Sequence, residues 1–368
     1  MTSLELFCQE KINKLEAENK LRSLKDFKFS SDLIVELKGK KYHNFASNDY
    51  YGLASNEQVK QAAKDSIEQY GVGGASSRLV VGNYDLYAEL EGKIAAYKST
   101  EQALVFGSGY LTSISVLPAL FDKNDLVIAD KLIHACLLDG VKLSGAKLIR
   151  YQHNNLEQAE ELLRKERSNY KKAVIITETV FSMDGDRANI DRLIKLAQQY
   201  DAYLLSDDAH GLGLNNKLAK FDNHIQLGTL SKGVGVYGGY VTGPKALCDY
   251  LATKARGFIY TTALPVPVVA AASKAMDLLE QGEVVRELKK NIELFAQESG
   301  LRNYETPIFI KEFSDIKEMQ DSHQELMSRG FYTGAIRPPT SLTPRLRISI
   351  SAGHRGDSLR ELAELLCG

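Results

Sequence analysis

Cysteine is sparse in this sequence: Cys8, Cys136, Cys248 and Cys367 form no CxxC pair and no metal-ligand spacing. That argues against a disulfide framework or a metal centre and predicts free thiols in a reducing compartment. Proline is scarce as well, 8 in 368 residues, and no internal repeat or low-complexity linker interrupts the chain. A formal net charge of -1 gives no excess of either sign, which speaks against a general nucleic-acid or membrane surface. The longest apolar stretch, residues 264–272, holds two prolines and falls far short of the roughly 20 residues that a bilayer span needs. Residues 1–20 carry no apolar signal core, so a cytoplasmic protein is expected. Also missing is a GxGxxG that opens a βα unit. Gly71-Val72-Gly73-Gly74 follows no convincing strand, which removes a nicotinamide dinucleotide site.

What is present is an ordinary globular composition, 44% hydrophobic and 25% charged, in a chain long enough for one large domain and a smaller one. Apolar residues recur at helical spacing over residues 4–24, and a short β-like segment follows over 33–45 with Gly39-Lys40 as its turn. Short apolar strands then alternate with helical patterns for about two hundred residues. The strand candidates are 103–106, 126–129, 147–150, 173–177, 203–205 and 225–227, with helices at 156–166 and 190–199 among them. This alternation predicts an α/β fold with a mostly parallel central sheet flanked by helices. A long helical stretch over 268–298, strands at 307–310 and 345–350 and a closing helix at 358–366 predict a smaller α+β C-terminal domain. The expected division is 1–45, 46–270 and 271–368.

Ligands of such sheets lie past the carboxyl ends of the strands, and the distinctive polar residues sit there. Lys232 ends Leu227-Gly228-Thr229-Leu230-Ser231-Lys232, just before a glycine-rich stretch, and Asp207 and His210 stand in Asp207-Asp208-Ala209-His210-Gly211 after the strand at 203–205. A partly desolvated lysine beside a cation has a lowered pKa, which frees its amine as nucleophile and base. An acid able to keep a pyridinium nitrogen protonated is the second requirement of pyridoxal phosphate (PLP) chemistry. Taken singly, these residues also read as a surface lysine, a helix N-cap aspartate and a core histidine. His134, after the strand at 126–129, offers a flat ring that can stack on a cofactor. Gly107-Ser108-Gly109-Tyr110 reads as a strand-to-helix turn whose N–H groups can hold a phosphate, or as a plain tight turn.

Six longer segments carry a resemblance over essentially the whole chain. They are Ser47-Asn48-Asp49-Tyr50-Tyr51-Gly52-Leu53, Gly71-Val72-Gly73-Gly74-Ala75-Ser76-Ser77-Arg78, Thr177-Glu178-Thr179-Val180-Phe181-Ser182-Met183-Asp184-Gly185-Asp186, Asp207–Gly211, Thr229–Gly233 and Ile336-Arg337-Pro338-Pro339-Thr340. With them the sequence resembles the α-oxoamine synthases, fold-type I PLP-dependent enzymes. The resemblance implies a PLP-dependent acyltransferase that acts as a homodimer. Lys232 would be the Schiff-base lysine, Asp207 the partner of the ring nitrogen, His210 the contact to the phenolic oxygen and His134 the stacking ring. Ser182 and Glu178 would line the cofactor site, with Gly109, Tyr110 and Thr229 on the phosphate side and Thr262 reaching the phosphate of the neighbouring subunit.

The resemblance further places Asn48 and Arg347 near the substrate amino acid and its carboxylate, and Arg22 near the acyl substrate. Arg337, Arg345 and Arg347 all remain open as the carboxylate clamp, where a guanidinium fork suits a carboxylate better than an ammonium does. The implied reaction is decarboxylative condensation of L-alanine with pimeloyl-CoA, or a pimeloyl carrier protein, in biotin biosynthesis. Glycine with acetyl-CoA, another acyl-CoA, or a non-catalytic subunit of the same fold are the alternatives. Two departures stand out: Tyr87 replaces a usual histidine, and the segment between Pro339 and Arg345 is about two residues short.

Overall fold

The computed structural model describes residues 2–18, 20–31, 33–214, 221–302 and 304–367. Its strands are β1 (Phe27–Ser31), β2 (Ile34–Leu37), β3 (Lys40–Phe45), β4 (Gln102–Phe106), β5 (Leu126–Asp130), β6 (Lys147–Tyr151), β7 (Ala173–Glu178), β8 (Tyr203–Asp207), β9 (His224–Thr229), β10 (Gly239–Gly243), β11 (Ile308–Glu312), β12 (Phe331–Ile336) and β13 (Arg345–Ser349). By internal packing the chain falls into two units. The larger spans Ser47–Ile310 and Ile348–Gly368, and the smaller spans Met1–Ala46 and Lys311–Arg347.

In the larger unit seven strands form one sheet in the order β4-β10-β9-β8-β7-β5-β6. From β9 to β6 every neighbouring pair is parallel, whereas β10 runs antiparallel to both β4 and β9. The parallel strands β5, β7, β8 and β9 are buried along nearly their whole length because helices cover both faces, and their Val and Ile content follows from that, whereas the edge strand β6 is largely open. The pleat sorts side chains between two cores. Val127, Ala129, Val174 and Ile176 join one cluster, with Val116, Leu117 and Leu137 from the covering helices. Leu126, Ile128, Ala173 and Ile175 join the other, with Leu163, Leu193 and Ile194. Two helices on that second face begin at asparagine caps: Asn155 Oδ1 accepts from Gln158 N at 2.9 Å before Leu156–Glu166, and Asn189 Oδ1 from Arg192 N at 3.0 Å before Ile190–Gln199.

In the smaller unit β1, β2 and β3 form an antiparallel meander, β3 pairs in parallel with β12, and β12 pairs antiparallel with β13. The six-stranded order is β1-β2-β3-β12-β13-β11.

Three sequence expectations are corrected, and one strand is added to them. The N-terminal helix ends at Ala17, and none of its residues is buried, so no packing partner extends it towards residue 24. The turn after β2 falls on Lys38 and Gly39, both at positive φ, instead of on Gly39-Lys40. The helical stretch over 268–298 is two helices, Val266–Gln281 and Glu283–Ser299, separated by Gly282 at φ 76°. The glycine-rich stretch after Lys232 leads into β10, a strand whose two glycines hid it.

Candidate active site

Three neighbouring strands end in the site. In the ladder Glu178, the last residue of β7, lies opposite Asp207, the last of β8. Lys232 follows β9 by three residues. The lysine Nζ stands 2.7 Å from His210 Nε2, and His210 Nδ1 stands 2.6 Å from the Tyr50 hydroxyl. That hydroxyl is 3.2 Å from Asn48 Oδ1. Lys232, His210, Tyr50 and Asn48 thus form one polar chain, of which Tyr50 was visible in the sequence only as part of a motif.

Asp207 and Asp208 are both buried but serve different partners. Asp207 Oδ1 accepts from Ala209 N at 2.9 Å. Burial pushes its carboxyl above the usual range, against the pull of the Lys232 charge, the Ala209 N–H and His134. Asp208 is taken up elsewhere: Lys98 Nζ lies 2.6 Å from its Oδ2, and Thr179 Oγ1 donates to its Oδ1 at 2.6 Å. One acid of the pair is neutralised and the other faces the site. Lys98 escaped the sequence reading because it is 110 residues from its partner.

Glu178 is buried, and its Oε1 has no hydrogen-bond partner. Burial and then the Asp207 charge raise its pKa to about 8, while Lys232 and the backbone N–H groups of His134 and Ser182 pull it down. His134 caps the helix Ala135–Ser144, its Nδ1 accepting from Cys136 N at 3.2 Å. Solvent reaches the ring, yet crowding by neighbouring atoms and the Lys232 charge hold its pKa below the ordinary value, with Asp207 opposing. Ser182 lies half-buried, four residues past Glu178.

On the other side of Lys232 the helix Gly109–Leu120 begins directly after β4, with Ser108 as its cap. A Cβ on Gly109 would stand 3.2 Å from Thr229 Cβ, so glycine lets the helix start against that threonine. Thr229 Oγ1 donates to Gly238 O at 2.8 Å and lies 2.6 Å from Ser231 Oγ. The first N–H groups of a helix have no partner within it and favour an anion. Tyr110 turns its hydroxyl to Asp139 and its ring edge to His134, with centroids 6.4 Å apart. Thr262 is exposed, one residue before Ala263, whose N donates to Ser76 O at 2.9 Å.

Arg22, Arg337 and Arg347 belong to the smaller unit. Arg22 Nη2 donates to Thr340 Oγ1 and Arg337 Nη2 to Leu21 O, each at 2.7 Å. Both line a cavity of about 820 Å³. Arg347 is buried on β13, and Arg345 is committed to Glu312 at 2.8 Å.

The family model for aminotransferases of class I and II matches residues 40–366. Along the full chain the sequence is 41% identical to a putative 8-amino-7-oxononanoate synthase of Caulobacter sp. (strain K31), covering 98% of that protein. It is 40% identical, over 99% of this chain and 96% of the relative, to the 8-amino-7-oxononanoate synthase of Maricaulis maris (strain MCS10). The chain belongs to the class I and II aminotransferases, among the 8-amino-7-oxononanoate synthases.

A solved member of these synthases, from Francisella tularensis, is 28% identical with a TM-score of 0.74, over 89% of this chain and 97% of that one. A serine palmitoyltransferase from S. paucimobilis, solved with PLP and myriocin, has a TM-score of 0.90 over 100% of this chain and 98% of that one. At 24% identity it shows the shared fold-type I architecture. Among the described residues no helix is long and apolar enough to cross a membrane.

Proposed function

We propose that the protein is a PLP-dependent acyltransferase of the cytoplasm that condenses L-alanine with a pimeloyl thioester, on CoA or on a carrier protein, to 8-amino-7-oxononanoate in biotin synthesis. The observation that carries this reading is the meeting of Lys232, His210 and Asp207 at the ends of neighbouring strands, in a chain whose full-length relatives bear that enzyme's name. The residues fit the cofactor. A buried carboxyl whose pKa is raised is stabilised by an arriving cation, which a protonated pyridine nitrogen supplies at Asp207. The start of the helix Gly109–Leu120, beside Gly109, Tyr110 and Thr229, suits a phosphate, and the Lys232 amine stands 2.7 Å from His210 Nε2.

When bound, PLP supplies an aldehyde for amine capture and a ring that takes up the electrons of the broken Cα–H bond. The chain's residues do the rest. Lys232 would hold the cofactor through its amine, and its free amine would take the alanine Cα proton and later return it. His210 fixes the lysine's approach and contacts the phenolic oxygen. His134 would lie against the ring, with Ser182 and Glu178 lining the same site. Asn48 and Arg347 would orient the amino-acid carboxylate, with Arg337 as the alternative clamp, and Arg22 would serve the acyl substrate. A carbon–carbon bond forms between the alanine Cα and the thioester carbonyl carbon as the thiol leaves, and the alanine carboxyl departs as CO₂.

A homodimer completes this reading, with Thr262 reaching the phosphate of a second copy. Val72, Leu79, Val80, Val81 and Tyr260, apolar and exposed near that threonine, support a covered surface there. Borohydride reduction of the PLP-loaded protein and peptide mapping test the core of the proposal: the adduct is expected at residue 232, and an unmodified Lys232 overturns it. Thiol release with alanine or glycine against pimeloyl-CoA and acetyl-CoA then tests the substrates.

A further inference from the structure

A second, half-buried polar cluster has no place in the chemistry above. His153, two residues past β6, sits between two carboxylates: its Nδ1 is 3.0 Å from Asp130 Oδ1 and its Nε2 is 2.8 Å from Asp186 Oδ2. Asn154 repeats the bridge. Its backbone N donates to Asp130 Oδ2 at 2.8 Å and its Nδ2 to Asp186 Oδ2 at 2.7 Å. Asn154 adopts φ 55°, a left-handed conformation that asparagine tolerates better than most residues.

Each carboxylate belongs to a loop that carries a site residue. Asp130 ends β5, four residues before His134, and its Oδ1 also accepts from Leu132 N at 2.8 Å. Asp186 lies four residues after Ser182, and its backbone carbonyl accepts from Phe181 N at 2.9 Å. The Phe181 ring meets the His153 ring edge-on, with centroids 4.4 Å apart. At the site itself Glu178 draws on the N–H groups of both His134 and Ser182. The two loops are therefore tied twice, once at the reacting face by Glu178 and once behind it by His153 and Asn154.

We infer that His153 is a positioning residue, which as an imidazolium clasped by Asp130 and Asp186 sets the ring of His134 against the cofactor and holds Ser182 opposite it. A neutral imidazole donates one hydrogen bond and the clasp offers two carboxylate acceptors, so only the charged ring donates to both. Burial opposes that form, but the bonds and charges of Asp130 and Asp186 outweigh it and raise the pKa to about 10. The inference rests on the assignment of PLP to Lys232 and Asp207, and visible absorbance of the wild-type holoenzyme checks that assignment separately.

The decisive measurement is the visible circular dichroism of the bound cofactor, which reports how firmly the ring is held. In His153→Leu this signal is expected to fall by at least half and kcat by about tenfold or more, with cofactor absorbance retained. In a His134→Ala background the same change should lower kcat less than twofold further, because its effect passes through His134. A purely structural role would lower the melting temperature and leave the visible signal of the folded protein intact, and that result overturns the inference. So does a full additional loss in the His134→Ala background. If His153→Leu does not fold, Asp186→Asn, which keeps the shape and removes the charge, should show the same fall in visible signal, and an unchanged signal there overturns the inference equally.

Discussion

Glu178 and Asp207 lie opposite each other at the ends of β7 and β8, and burial of Glu178, with the Asp207 charge beside it, has a pH cost. Glu178 keeps its proton in the folded chain up to about pH 8. Unfolded, it ionises near the ordinary glutamate value of about 4.3. Between those limits the folded state binds the extra proton, so stability falls as pH rises through that window and is flat outside it. Glu178→Gln apoprotein should therefore lose less stability than wild type between pH 5 and pH 8, as read from urea midpoints. Lys98 and Asp208 set a second expectation. Removing one member of a buried ion pair costs about 3–5 kcal/mol, because the survivor is left uncompensated. Lys98→Met should show that loss in chemical denaturation, and Lys98→Met with Asp208→Asn should recover most of it.

At this scale much was legible. Asp207 ends β8, and Lys232, His210 and His134 stand just past apolar strands, where single residues mark a candidate site. The partners that hold them were not. Lys98 and Asp208 are distant in sequence, as are Asp130, His153 and Asp186, and pairing across such separations leaves no local pattern.

Among the elements, β10 meets the helix Gly109–Leu120 at its start. A Cβ on Gly239 would lie 2.5 Å from Gly109 N and 2.4 Å from Thr112 Oγ1. Overpacking of that kind costs about 1–3 kcal/mol, and here the displacement falls on the helix start assigned to the phosphate. Gly239→Ala should lower the melting temperature and weaken PLP binding, measured by titrating the apoprotein. The parallel strands were readable as short continuous apolar runs, and the helices 156–166 and 190–199 because their burial is periodic. β10 escaped because glycine carries no hydrophobic signal, and Gly282 divided a helix whose apolar pattern runs on through it.

For the molecule as a whole, the apolar residues Leu79, Val80 and Val81 are informative because they lie in turns and stay exposed. A sequence pattern reads such a run as a strand and expects it inside. Placed on a surface beside Thr262, it marks the proposed seam between two copies. Val80→Asp combined with Val81→Asp should shift the protein from dimer to monomer in sedimentation velocity. Activity should fall with it, since each site would lose the second copy's threonine.

The strand-end placement of Glu178, Asp207 and Lys232 also predicts where insertions and deletions are tolerated. Removing one residue from the interior of β7 would turn every later side chain of that strand to the opposite side, sending Glu178 away from Asp207. Lengthening the segments beyond the strand ends leaves that ladder untouched. Change on this scaffold is thus channelled into the loops beyond the strand ends, while the ladder of Glu178 and Asp207 keeps a fixed length.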